Sequence, residues 1–340
     1  MKIEDLGEFG LIDRIRRRLA AGQHPDLVIG PGDDAAAVLP PVAGQVLLLT
    51  CDAMVEDVHF RRRWMSPREV GWKVMVRNLS DIAAMGGRPG WAVVTCGFPP
   101  GTDVEFVDAL VEGLDEALRG YGAHIVGGDI VRSPVFFVSV TLTGHAEAHA
   151  ILRRSGCRPG DVLMVTGELG ASAAGLAALE AGQGDRFPEA TRAHLLPRPR
   201  LEAGRALARA ELATSCIDIS DGLAGDAAHL AEESGTGISL SLADVPVAQA
   251  CRDVCATLGG DPLEYAVHGG EDYELLFTVH ADRVEGTADL FESEGLGTVT
   301  VIGRVTEQEQ GLLAVKPDGT TMPLGEGWDH FRVRKEERLP

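Results

Sequence analysis

The order of strand-like and helix-like segments predicts a chain whose first half is α+β and whose second unit begins near residue 148. Short apolar runs alternate with segments of helical periodicity along all 340 residues, with no low-complexity tract and no long linker. That length suits two domains of ordinary size or one large one. Hydrophobic residues make up 45% of the chain and aromatics 5%, enough for a sizeable core packed mainly with aliphatic side chains.

In chain order, VLLLT (46–50) reads as a buried strand, and residues 68–85 as a helix stopped by Gly86-Gly87. WAVVTCGF (91–98) is a second strand. Over 103–120, Val104, Val107, Leu110, Val111, Leu114 and Leu118 recur at helical spacing, the signature of an amphipathic helix. HIVGG (124–128) and VFFVSVTLTG (135–144) complete a β-α-β-α-β-β order. In the second unit, GDVLMVTG (160–167) is a strand running into a small-residue turn, and ASAAGLAALEAG (171–182) a helix. RFPEATRAHLLPRPR (186–200) is rich in proline and predicted irregular. CIDIS (216–220) is a strand, DGLAGDAAHLAEESG (221–235) a helix starting at Asp221, and ISLSL, YELLFTV and TVTVIGRV are further strands.

Composition excludes several classes. No apolar run approaches the roughly 18–20 residues that span a bilayer, and the N-terminus lacks the apolar core of a signal peptide. None of the six cysteines forms a C-x-x-C pair, consistent with buried thiols in a reducing, cytoplasmic compartment. A formal charge of −20 argues against nucleic acid as partner. Lysine occurs only at 2, 73, 316 and 335, so most cationic work falls to arginine.

The acidity has structure. Asp33 and Asp34 lie in GPGDDAAAV, Asp52 follows VLLLTC, Asp129 follows IVGG, Asp218 and Asp221 lie in CIDISDGL, and Asp81 lies on a helix in RNLSDIAAMGG. Strand ends and glycine turns hold side chains in place and admit a ligand close to the backbone. Gathered carboxylates repel unless a cation lies between them, and Mg²⁺ takes hard oxygen ligands while sharing phosphate oxygens. The set predicts several Mg²⁺ ions around a polyphosphate. Taken singly, Asp221 reads equally well as a helix N-cap, Asp33-Asp34 as a turn, and Asp57 and Asp226 as surface residues. Neither a P-loop nor a strand-linked G-x-G-x-x-G is present. TGELGAS (166–172) suits either phosphate binding or strand-to-helix packing, and Arg153-Arg154 either a phosphate clamp or a solvated pair.

These motifs resemble one family, the thiamine-monophosphate kinases, within the aminoimidazole-ribonucleotide synthetase superfamily. The matching pieces are GPGDDAA, TCDAMVEDVHF, NLSDIAAMGG, GGDIVRSP, RRSG-x-x-PGD, IDISDGL, GGEDYELLFTV and GWDHF, in order from residue 30 to 331. The resemblance implies an α+β N-terminal domain (1–147) that binds ATP and Mg²⁺ and pairs its mixed or antiparallel sheet with that of a second subunit. It implies an α/β C-terminal domain (148–340) that completes the cleft. It implies metal ligation by Asp34, Asp52, Asp81, Asp129, Asp218 and Asp221, nucleotide contacts at Thr50, Cys51, Gly128, Arg154 and Ser220, and thiamine monophosphate contacts at His59, Glu271 and Trp328. Cys51 and Ile130 depart from the family pattern, which has hydroxyl residues there, so side-chain contacts at both are in doubt. The implied activity is transfer of the γ-phosphate of ATP to thiamine monophosphate, without a general base, in a cytoplasmic homodimer. The rival readings are a selenophosphate or aminoimidazole-ribonucleotide synthetase, and a non-catalytic nucleotide-binding relative.

Overall fold

The computed structural model describes residues 27–29, 34, 36–38 and 43–325. Trp328, the GWDHF motif, Asp33 and the Gly30-Pro31-Gly32 turn lie outside the described residues.

The first sheet has six strands: β1 (Leu27–Ile29), β2 (Ala36–Val38), β3 (Gln45–Val55), β4 (Arg88–Phe98), β5 (His124–Arg132) and β6 (Phe137–Glu147). Their order is β1-β2-β3-β6-β4-β5. All neighbours are antiparallel except the edge pair β4 and β5, which makes the sheet mixed. On β6 the even residues Val138, Val140 and Leu142 are buried and the odd ones only partly so, the period of a sheet with one covered face. Helices α1 (Pro67–Ala84) and α2 (Val104–Arg119) lie on the covered face.

α1 begins where the sequence signals it. Ser66 caps the helix in a capping box with Glu69, and Pro67 occupies its first turn. It ends in a Schellman motif: Gly87 N–H donates to the Ile82 carbonyl and Gly86 N–H to that of Ala83, with Gly86 at φ +68°. α1 and α2 cross with backbones in contact, since a Cβ on Gly113 would lie 1.9 Å from the Arg68 carbonyl oxygen.

The second sheet has seven strands: β7 (Val162–Thr166), β8 (Ala213–Asp218), β9 (Gly237–Ser241), β10 (Leu275–Val279), β11 (Val299–Thr306), β12 (Leu312–Val315) and β13 (Thr321–Pro323). The order is β13-β12-β9-β11-β7-β10-β8, antiparallel except for β12 beside β9. Helix α3 spans Ala171–Glu180, and the segment predicted irregular forms helix α4 (Pro188–Leu195). Its first proline sits at the N-terminus, where a missing N–H costs nothing, and its other two follow the helix end. Helices α5 (Leu201–Arg209), α6 (Leu223–Ser234), α7 (Gln249–Leu258), α8 (Pro262–His268) and α9 (Val284–Glu294) follow. α5 docks on α1 at Gly204, where a Cβ would lie 1.9 Å from the Ala83 carbonyl oxygen.

One core cluster joins the halves: Val74, Leu79 and Ile82 of α1 belong with Met164, Leu207 and Phe277 of the second unit. Burying each such side chain contributes about 1.5–3 kcal/mol. α1 is thereby wedged between the sheets, and its polar residues reach groups from both.

Candidate active site

α1 is apolar on most faces but carries Lys73, Arg77, Ser80 and Asp81 at spacings of four, three and one, a single stripe along the helix. Each residue of the stripe meets a group from another segment. Asp81 accepts a hydrogen bond from the Thr50 hydroxyl, on β3. Ser80 donates to Asp218 Oδ2 at 2.6 Å, at the end of β8. Arg77 Nη2 reaches Asp52 Oδ1 at 3.2 Å, and Lys73 Nζ donates to Glu271 Oε2 at 2.8 Å.

The site centres on the trio Asp34, Asp81 and Asp218, whose carboxylate oxygens lie within 4.8 Å of one another. Three separate segments supply them. Burial raises the pKa of Asp81 well above the carboxylate range, and Asp52, Asp218 and Asp34 push it the same way. Burial also raises Asp218, with Asp34 adding to the effect and Ser80 and Arg154 opposing it. Arg154 grips Asp34 with both arms, Nη2 to Oδ1 at 2.6 Å and Nε to Oδ2 at 3.1 Å. Burial disfavours that guanidinium, but Asp34 outweighs it and holds the pKa above the ordinary arginine range.

Beside the trio run two loops. Ser220 and Asp221 donate their backbone N–H groups to Asp226 Oδ2 at 3.1 and 3.2 Å. Asp226, predicted at the surface, is 2% exposed and braces this turn from the first turn of α6. The helix starts at Leu223 with Gly222, not Asp221, at the N-cap position. The GGEDYEL loop lies alongside: Glu271 N–H donates to the Ser220 carbonyl at 2.8 Å, and Tyr273 N–H to that of Ile219 at 2.9 Å. Glu271 and Tyr273 both adopt positive φ, +67° and +53°. Two such residues in one loop cost of order 1–3 kcal/mol each, a pattern concentrated at functional sites.

The other expected residues divide. Thr50 and Asp52 share the helix-covered face of β3, whereas Cys51 between them is exposed on the opposite face, its Sγ 3.5 Å from Ser139 Oγ. The Cys51 side chain therefore points away from the trio. His59 closes the turn after β3, its Nδ1 accepting from Val55 N–H at 3.2 Å. Gly128 and Asp129 lie on the edge strand β5, in register with Val94 and Thr95. Asp52 is in register with Val140, and Val140 with Val94, so three strand spacings, about 14 Å, separate Asp52 from Gly128. Asp129, exposed and accepting from Ile130 N–H at 2.9 Å, stands apart from the trio. At TGELGAS, the start of α3 is occupied by the chain itself: Asp272 accepts from Gly170 and Ser172 N–H at 2.8 and 3.3 Å. Burial raises the pKa of Asp272 to about 7 against those bonds.

Lys73, Arg77, Ser80 and Asp226 were missed as site residues from the sequence. The stripe on α1 was the available signal, since a lysine and an arginine four apart inside KVMVRNLSDIAAM have no solvent face to explain them.

Family models described as the N-terminal and C-terminal domains of AIR synthase related proteins match residues 32–146 and 158–316. A thiamine-monophosphate kinase of Aquifex aeolicus is 38% identical over 334 residues, covering 97% of this chain and 100% of the relative. One of Mycobacterium tuberculosis is 43% identical over 275 residues, 81% of either chain. A solved structure described as AaThiL complexed with AMPPCP and TMP superposes with a TM-score of 0.84 at 36% identity, covering 97% of this chain and 99% of its own.

Proposed function

This chain belongs to the thiamine-monophosphate kinases, and we propose that the cleft around Asp34, Asp81 and Asp218 is where it performs their reaction. The enzyme transfers the γ-phosphate of ATP to thiamine monophosphate, giving thiamine diphosphate and ADP. The observation that carries the placement is the convergence of three carboxylates, two of them raised in pKa, at the junction of the two sheets.

The donor set fits a hard divalent cation such as Mg²⁺: the trio offers only carboxylate oxygens, and the charges acting on Asp81 are those of other carboxylates. Asp34, Asp52, Asp81 and Asp218 would hold such ions, with Asp221 beside them and Asp129 assigned by its motif alone. When bound, Mg²⁺ offsets the charge of carboxylates and phosphates brought together here.

The acceptor is a phosphate monoester whose second pKa is about 6, so its oxygen is anionic near pH 7 and no residue has to deprotonate it. That oxygen forms the new P–O bond while the bond to the bridging oxygen of ADP breaks, its electron pair leaving with ADP. The protein's part is orientation and charge placement. Arg154, fixed by Asp34, is assigned with Ser220, Gly128 and the backbone at Thr50 and Cys51 to the nucleotide phosphates. His59 and Glu271 are assigned to thiamine monophosphate, and Trp328, beyond the described residues, is assigned there by its motif.

The chain is read as a homodimer that joins through the open face of the first sheet. Trp91 and Val93 on β4, and Val126, Ile130 and Val131 on β5, are exposed there or on its edge strand, where a monomer would leave apolar surface and unpaired backbone groups in water. Six free cysteines support a cytoplasmic setting. No helix among the described residues is long and apolar enough to cross a membrane.

The test is incubation of the purified protein with thiamine monophosphate, ATP and MgCl₂, with chromatography for thiamine diphosphate. Formation of that product in proportion to ADP is expected, and ADP release without it overturns the assignment. Single-turnover labelling from γ-³²P-ATP is expected to leave no label on the protein.

A further inference from the structure

Lys73 is one of four lysines in the chain, and its side chain is fully buried on a helix otherwise packed with Val70, Val74 and Met75. A buried ion pair gains little over apolar residues of the same volume, so a lysine kept there places a charge rather than adding stability. Burial lowers the Lys73 pKa, and the carboxylate of Glu271 opposes that shift.

The charge is aimed at one atom. Nζ donates to Glu271 Oε2 at 2.8 Å, and the neutral His194 ring approaches the same oxygen with Nδ1 at 3.5 Å. Burial depresses the His194 pKa to about 3, and Lys73 pushes it down further. Oε1 is held less tightly: its one ion-pair contact among the described residues is Arg77 Nη1 at 3.9 Å, beyond hydrogen-bond distance, and Arg77 donates through Nη2 to Asp52. Asp272 and Tyr273 flank Glu271 on its own loop, and the Glu271 N–H is tied to Ser220. The Glu271 side chain thus has one oxygen clamped from within and keeps 24% exposure.

We propose that Lys73 is a positioning residue that clamps Oε2 of Glu271 so that Oε1 is presented, as a carboxylate, to the cationic and amine-bearing rings of thiamine monophosphate. Lys73 itself touches no substrate. The proposal rests on the reading of Glu271 as a substrate contact. Burial works against ionisation of Glu271, but its pKa is held down to about 2, chiefly by the charge of Lys73 with that of Arg77 adding to it, so the acceptor is ionised at any working pH. An ammonium places a compact point charge on a single oxygen, whereas the planar fork of arginine favours engaging both oxygens of a carboxylate, which accounts for a lysine here in an arginine-rich chain.

The experiment is a double-mutant cycle on the full-length enzyme: wild type, Lys73→Met, Glu271→Gln and the double variant, each assayed for KM of thiamine monophosphate and of ATP, with folding checked by circular dichroism. Lys73→Met is expected to raise KM for thiamine monophosphate about ten-fold while KM for ATP moves less than about two-fold, and to add nothing in the Glu271→Gln background. Loss of packing alone would not give that split or that non-additivity. If Lys73→Met does not fold, Lys73→Gln, which keeps a donor without the charge, takes its place in the same cycle. Unchanged KM in Lys73→Met with raised KM in Glu271→Gln overturns the role of Lys73 and leaves the reading of Glu271 standing. Equal increases from Lys73→Met in both backgrounds also overturn it. Unchanged KM in Glu271→Gln overturns the reading of Glu271, and the proposal with it.

Discussion

Replacing Asp81 by Asn should stabilise the metal-free enzyme while abolishing its activity. The carboxylate oxygens of Asp34, Asp81 and Asp218 lie within 4.8 Å of one another, and Asp52 acts on Asp81 with the same sign. Two unit charges at that distance repel by about 3.5 kcal/mol at an effective dielectric constant of about 20. Part of this is already relieved by proton uptake, because Asp81 binds its proton more tightly than an ordinary aspartate. A net gain of about 1–2 kcal/mol is left, and the amide oxygen of Asn still accepts from Thr50. For units of this size a gain of that magnitude raises Tm by roughly 3–6 °C. The assay is thermal unfolding in EDTA and in rising MgCl₂, beside turnover of thiamine monophosphate. In EDTA the variant should melt above wild type. Mg²⁺ should then raise the wild-type Tm far more than that of the variant, closing or reversing the gap. A variant that melts below wild type in EDTA, or keeps both its Mg²⁺ response and near-normal turnover, would refute the electrostatic reasoning.

Two further outcomes follow from other parts of the structure. His194 is buried, and its pKa is depressed to about 3 in the folded state against about 6.5 unfolded. The unfolded chain therefore takes up the proton first, so stability from this group is full above about pH 6.5 and is lost progressively as pH falls towards 3. Urea midpoints of wild type and His194→Asn should converge between pH 7.5 and 5, and parallel curves would contradict this. Trp91→Asp with Val93→Asp on the open face of the first sheet should convert a dimer to a monomer in analytical ultracentrifugation while the far-ultraviolet spectrum is kept, and a dimer surviving both charges would place the interface elsewhere.

Local chemistry was legible along the chain. The Gly86-Gly87 stop was read from the chain and the structure has it; the capping box at Ser66 and the alternation on β6, not drawn from the sequence, likewise depend on neighbours a few residues away. The segment after Arg186 was misread because proline was weighed as a breaker, although a proline in the first turn of a helix breaks nothing. Asp34 and Asp218 were legible as candidates because strand ends and glycine turns mark where a carboxylate can be held, whereas Asp81, read on a helix, entered the set through its motif. Which of the acids would meet was a matter of packing. The wedge of α1 between two sheets brings Asp81 to Asp34 and Asp218, the strand order leaves Asp129 at an edge, and the turn back from α6 buries Asp226. The same wedge pairs Lys73 with Glu271 across 198 residues of chain. By itself the sequence determined many of the elements, the family and the acidic inventory, since these follow from short-range geometry and motif order. Only the tertiary structure decided the partners, because a contact between distant residues depends on how whole helices and sheets pack, and no local pattern carries that information.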